Sequence, residues 1–378
     1  MPKILLINWR CPRNPLAGGA EIYAYEIFKR IKDRGYEITY LAERFPDSKE
    51  EEEIEGIRIL RIGNKWTFNF SVYRNINEIV ENNNFDLVID DLNKIPFYSP
   101  YFLKNRIPVL ALVMHLFRNV IFSETNIFFG SYVYLTESLI PLIYKNNYFA
   151  CLSQSTKEDL LKLFKNKKEI EEKIYIISPG IDFNKYKPDF SKKKERIICH
   201  VGRLKKYKSV HHLIYAVKIL KEKIDNFKVL IVGEGDDKER LMKLVKKLNL
   251  SKIIEFTGYV SEEEKINIYQ TSLFLVENSI KEGWGLIVLE ANACGIPVIS
   301  ANTPGLKETV IDGETGFFYS YGDINMLAEK MKILLENDSL REEMGKKALA
   351  WAKNFTWEKS ADLMKELIEK VLNYESSN

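Results

Sequence analysis

The chain is 378 residues long, 46% hydrophobic and 29% charged, which exceeds one ordinary core and suits two soluble domains of moderate size. Its 56 basic and 53 acidic side chains leave a formal net charge of +3, and residues 1–185 hold 25 and 24 of them, so neither half is polarised and no nucleic-acid partner is expected. Cys11, Cys151, Cys199 and Cys294 form no Cys-x-x-Cys pair, no signal-peptide pattern precedes Ile4, and no apolar run reaches the ~18 residues of a spanning helix. These features point to a cytoplasmic protein without disulfide framework or zinc site, attached at most to the cytoplasmic face of a membrane.

Short apolar runs alternate with longer amphipathic segments along the whole chain. The predicted strands of the first half are Ile4–Ile7, Ile38–Ala42, Arg58–Ile62, Leu87–Ile89, Val109–Val113, Phe149–Leu152 and Ile174–Ile177. Between the first two, Glu21–Arg34 reads as a helix with Ile22, Ile27, Phe28 and Ile31 on one side and Gly35 just past its end. Gly18-Gly19 joins strand to helix, either as a plain turn before the dipole-complementing Glu21 or as a place where backbone approaches a ligand. Asp90-Asp91 has no further metal-ligand cluster beside it and reads as structural or acceptor-facing. His115 ends the Val109–Met114 run and reads equally as a structural residue or a substrate contact. Residues 127–149, with Phe128, Phe129, Tyr132, Tyr134, Leu139, Ile140, Tyr144, Tyr148 and Phe149, read first as core and cleft wall. The second reading is a surface for a lipid-linked or hydrophobic acceptor.

The pattern then starts again. Asn184–Lys194, with Pro188, reads as a linker, and the second series of predicted strands is Ile197–Val201, Val229–Val232, Ile253–Phe256, Leu273–Val276 and Val298–Ser300. Apolar runs separated by helical segments indicate parallel sheets covered on both faces. The fold class is therefore α/β, with two doubly wound, Rossmann-like domains facing a cleft: residues 1–185, and residues 195–355, followed by a helix at about 358–374 that returns to the first domain. No Gly-x-Gly-x-x-Gly follows the first strand, which argues against a dinucleotide cofactor. Gly202-Arg203-Leu204, with Lys205, Lys206 and Lys208, places cations at a strand end where an anionic group would bind. His200, His211 and His212 read as structural. Val232-Gly233-Glu234-Gly235 and Gly258-Tyr259-Val260 close two strands, as ordinary turns or as loops around a base.

Glu282-Gly-Trp-Gly-Leu-Ile-Val-Leu-Glu290 carries most information. Gly283 and Gly285 admit close backbone approach, and a helix starting near Trp284 or Leu286 turns its free amides toward an anion. Glu282 lies on the loop, and Glu290 is expected about two turns into the helix. Carboxylates flanking a phosphate cradle accept hydrogen bonds from hydroxyls, which describes a nucleotide-sugar pocket.

That segment, continued through Ala-Cys-Gly-Ile-Pro-Val-Ile-Ser300, resembles the donor-site signature of the retaining family-4 glycosyltransferases of GT-B fold. Gly18-Gly19, Ser153–Asp159 and Ser178-Pro179-Gly180-Ile181-Asp182 extend the resemblance over nearly the whole chain. It implies transfer of a hexose from a nucleotide-sugar donor to a hydroxyl of a glycan or lipid-linked acceptor, with configuration retained and neither cofactor nor metal required. It also implies roles. Glu290 would bind ribose hydroxyls, and Glu282 a hydroxyl of the transferred sugar. Arg203 and Lys208 would hold the diphosphate with the amides of Trp284, Gly285, Leu286 and Ile287. Gly18, Gly19 and His115 would meet the donor from the first domain, and Gly235, Tyr259 and Val260 would lie by the base. Lys208 is followed by Ser209 where the family commonly has glycine. A GT-B sugar-nucleotide epimerase and a non-catalytic nucleotide-sugar or glycan-binding partner are the alternatives.

Overall fold

The computed structural model describes residues 1–93 and 95–376, with side chains to residue 373. The chain divides into two compact units, residues 1–180 with 357–378, and residues 181–356. Residues 184–194, read as a linker, therefore lie inside the second unit, where Tyr186 is buried in the core.

The first unit carries β1 (Lys3–Ile7), β2 (Glu37–Arg44), β3 (Glu51–Ile54), β4 (Ile57–Asn64), β5 (Leu87–Asp91), β6 (Val109–Val113), β7 (Tyr148–Cys151) and β8 (Ile174–Ile176). They form one sheet in the order β3-β4-β2-β1-β5-β6-β7-β8, parallel except where β3 runs antiparallel to β4. Sequence reasoning missed β3, whose three glutamates have poor strand propensity. A two-residue turn with Glu55 at φ +50° and Gly56 at φ +80° closes this hairpin.

The helix Gly19–Asp33 buries Tyr23, Ala24, Ile27, Phe28 and Ile31 and ends before Gly35 at φ +95°. Ile22, placed on the buried side by its spacing, is instead half exposed. The last helix, Trp357–Ser376, packs against this one. Trp357, Met364, Leu367, Ile368 and Val371 are buried, and Arg34 Nη2 donates to Asp362 Oδ1 at 2.6 Å.

Much of residues 127–149 departs from the core reading. The helix Ile127–Ser138 leaves Ile127 69%, Phe128 83%, Phe129 56% and Leu135 64% exposed, and Leu142 beyond it is 70% exposed. Tyr144 and Phe149 alone of the rings named for that stretch are fully buried. Among the described residues, no helix is long and apolar enough to cross a membrane.

The second unit holds β9 (Ile197–Val201), β10 (Lys228–Val232), β11 (Ile254–Gly258), β12 (Phe274–Glu277), β13 (Val298–Ala301) and β14 (Gly316–Tyr319). All run parallel, in the order β11-β10-β9-β12-β13-β14. β14 was not read from sequence. It begins at Gly316, where a Cβ would lie 1.9 Å from the Val298 carbonyl oxygen, so glycine marks a close strand approach here rather than a break.

Candidate functional site

In the second sheet the chain leaves β9 for β10 on one side, and β12 lies on the other. Loops diverge at the carboxyl end of such a switch point, and open α/β sheets bind ligands there. The loop after β9 carries Arg203 and Lys208, and the loop after β12 carries Glu282. They are tied by the Ile280 amide, which donates to the Tyr207 carbonyl at 2.9 Å. Lys208 Nζ donates to Glu282 Oε1 at 2.6 Å, with both side chains mostly buried. Burial alone would lower the Lys208 ammonium, but the Glu282 and then the Glu277 carboxylates outweigh it and raise its pKa. Lys208 is thus held cationic at the switch point. Ser209 follows it at φ +48°, the left-handed region that explains why glycine is usual there.

Arg203 is exposed and, among the described residues, has no carboxylate within salt-bridge distance, whereas Lys205 is engaged by Asp236 at 2.5 Å. Gly235 has a structural task. A Cβ on it would lie 2.1 Å from the Leu204 carbonyl oxygen, and one on Gly233 would lie 2.0 Å from that of Gly202. These glycines let the β10 loop lie against the β9 loop, where Leu204 N donates to Glu234 O at 2.8 Å. The Tyr259 ring is 85% exposed, and Val260 packs against the core edge.

After Glu282 the chain turns through Gly285 at φ +101° into the helix Leu286–Ala293. Among the described residues no side chain caps this helix; the Val288 amide donates to the Gly285 carbonyl at 3.0 Å, which leaves the half-buried Leu286 and Ile287 to present the amides of the helix start, where an anion is favoured. The Trp284 ring packs on Phe355 with centroids 5.1 Å apart. Gly283 is half-buried on the same loop. Glu290 is the fifth residue of the helix, just over one turn in rather than two. Its oxygens accept from Lys265 Nζ at 3.0 Å and the Tyr269 hydroxyl at 2.9 Å.

The loop after β13 was missed. The Glu282 amide donates to the Pro304 carbonyl at 3.0 Å. Gly305, at φ +83°, sits so close that a Cβ would lie 2.1 Å from the Glu282 carbonyl oxygen. The Pro304-Gly305 pair was the available signal. Lys265 and Tyr269 were missed as well, because Glu262-Glu-Glu-Lys265 reads as a solvated helix start.

In the first unit, Gly18 caps the helix Gly19–Asp33, and its amide donates to Glu21 Oε2 at 2.8 Å. Neither glycine has a positive φ, so this turn forms without left-handed backbone. His115 is half-buried beyond β6, its ring 4.5 Å from that of Phe117. Asp90 is buried, accepting from the Tyr144 hydroxyl at 2.6 Å and the Ser99 amide at 3.0 Å, and burial raises its pKa. His200 is buried with Nδ1 2.9 Å from the Val276 carbonyl.

Residues 182–351 match the family model described as glycosyl transferases group 1, and residues 17–185 match glycosyltransferase family 4. An uncharacterized glycosyltransferase of Methanocaldococcus jannaschii is 30% identical over 99% of this chain and 100% of its own length. The D-inositol 3-phosphate glycosyltransferase of Corynebacterium efficiens is 30% identical over 59% of this chain, a match that spans 57% of that protein. Among solved structures, sucrose-phosphate synthase from Thermosynechococcus elongatus superposes with a TM-score of 0.83 at 20% identity, covering 99% of this chain and 100% of that one. Anabaena HepE in complex with UDP and glucose gives 0.78 at 18% identity, covering 98% and 100%. At these identities the two structures speak to the fold alone.

Proposed function

Because the chain belongs to the group 1 glycosyl transferases and is a glycosyltransferase of GT-B fold, we propose that it moves a hexose from a nucleotide-sugar donor to a hydroxyl of a lipid-linked or other glycan acceptor, with anomeric configuration retained. The observation that carries this reading is the Lys208–Glu282 pair beside the uncapped start of helix Leu286–Ala293. It joins a fixed cation, free amides and a hydroxyl acceptor at one switch point.

In this reading Glu290 binds the ribose hydroxyls and Glu282 a hydroxyl of the transferred sugar. Lys208, Arg203 and the amides from Trp284 to Ile287 offset the diphosphate charge that grows as the sugar leaves. The diphosphate competes with Glu282 for Lys208, so donor binding loosens the pair. Tyr259, Val260 and the backbone of Gly235 serve the base, and Gly18, Gly19 and His115 are assigned to substrate contact. The bond from the anomeric carbon to phosphate breaks while the bond to the acceptor oxygen forms on the same face. The acceptor proton passes to the departing phosphate oxygen, so no protein nucleophile is needed. Cationic side chains take the part a metal would play. The exposed apolar side chains Ile127, Phe128, Phe129, Leu135 and Leu142 favour an acceptor with a lipid portion, and peripheral contact with a membrane.

The test is steady-state kinetics with a competent donor. Glu290→Ala should raise the donor KM about 3- to 10-fold and Glu282→Ala should lower kcat, at roughly 0.5–1.5 kcal/mol for each lost hydrogen bond. Lys208→Ala should depress kcat further, and EDTA should change nothing. Wild-type kinetics in all three variants, or activity lost in EDTA and restored by Mn²⁺, contradicts the reading. Donor conversion without acceptor identifies an epimerase, and binding without turnover a non-catalytic partner.

A further inference from the structure

Glu290 takes both of its direct side-chain hydrogen bonds from one helix. Lys265 and Tyr269, four residues apart on the helix Glu262–Thr271, share a helical face, and each takes a different oxygen of the carboxylate. Lys265 Nζ also lies 3.1 Å from Glu262 Oε2, and Glu262 Oε1 accepts from the Tyr186 hydroxyl. The cation is thus shared by two carboxylates and cannot swing away without leaving both short of a countercharge. The Tyr269 ring is fully buried. Burial and then the nearby Glu290 charge raise the phenol's pKa, so it stays a donor.

A carboxylate oxygen has two acceptor positions. Tyr186 also lies within hydrogen-bond reach of Glu290, but its single hydroxyl proton goes to Glu262; with one position on each oxygen occupied by the helix, one on each remains, which fits two adjacent hydroxyls. Resting on the reading of Glu290 as the ribose ligand, we propose that Lys265 and Tyr269 are positioning residues: they fix the Glu290 carboxylate so that both of its oxygens meet the ribose diol, and thereby make the site select ribonucleotide over deoxyribonucleotide donors.

The experiment measures binding of UDP, 2′-deoxy-UDP, GDP and 2′-deoxy-GDP to the full chain by calorimetry. Hydrogen bonds to a charged group should give the wild type a preference of about 10-fold or more for the ribose form of whichever base it binds. Tyr269→Phe and Lys265→Met should shrink that preference to within about 3-fold by weakening the ribose form alone, and Lys265→Arg should restore it. Variants that weaken ribose and deoxyribose forms by the same factor, leaving the ratio intact, would show a merely structural role and overturn the proposal. A wild type with no ribose preference overturns the ribose reading itself, before any variant is compared. Tyr269→Phe removes a single oxygen and keeps the test decisive if Lys265→Met does not melt cooperatively.

Discussion

His212 is buried with Nδ1 3.2 Å from the Tyr319 hydroxyl, and burial first, then the adjacent His211, lower its pKa to about 4. The unfolded chain takes up this proton near pH 6.5, so the unfolded state binds more protons as the solution is acidified. Stability from this group is therefore complete above about pH 6.5 and is lost as pH falls toward 4. Burial lowers the His200 pKa too, in the same direction. His212→Gln is expected to flatten the melting temperature against pH between 6.5 and 4 and to leave it nearly unchanged at pH 8; an acid limb of undiminished slope would contradict this. At this scale the sequence was informative where chemistry is local. Glu282, Gly285 and Glu290 sit within one turn-and-helix segment, and Ser209 stood out because glycine is usual there. Lys265 and Tyr269 were opaque, because a carboxylate's partners from another helix leave no spacing signal.

Elements were legible by period and punctuation. Val109–Val113 and Ile197–Val201 match β6 and β9 residue for residue, because buried parallel strands are continuous apolar runs. β3 and β14 are edge strands with little apolar content or a leading glycine, and they form through pairing rather than propensity. The loop after β13 shows what such punctuation does. Gly305→Ala would strain a left-handed residue and push the Glu282 backbone from its place. Its expected effect is a fall in kcat of about 10-fold or more, on the scale of a 1 Å displacement at a reacting centre, with folding retained by circular dichroism. Unchanged kcat would mean the loop does not set Glu282. The helix Ile127–Ser138 is the element that defied its sequence reading. Apolar residues on most of its faces imply burial, and Phe128, Phe129 and Tyr132 are exposed instead. In flotation with anionic vesicles, Phe128→Ser with Leu135→Ser is expected to cut the bound fraction severalfold; equal binding by the variant would remove the membrane from the proposal.

The whole molecule is threaded so that the second unit is one continuous stretch and the first is not. Two spans were visible from the restart of the strand pattern at Ile197. Their seam was not, since Tyr186 and its neighbours look like linker until their partners in the second unit are known. The closing helix Trp357–Ser376 buries Trp357, Met364, Leu367, Ile368 and Val371. At roughly 1.5–3 kcal/mol for each large apolar side chain, this rivals the net stability of an entire domain. A chain ending at Thr356 is expected to lose the first unit's cooperative transition in calorimetry while keeping the second unit's and its nucleotide binding; two intact transitions would refute this. The same threading sets an order on synthesis. The eight-stranded sheet leaves the ribosome first, but its last covering helix follows the 176 residues from Ile181 to Thr356, a delay of about 10–35 s at ordinary elongation rates. Through that interval the nascent amino-terminal half waits with an uncovered flank, a natural client for chaperones, while the half made later finishes first.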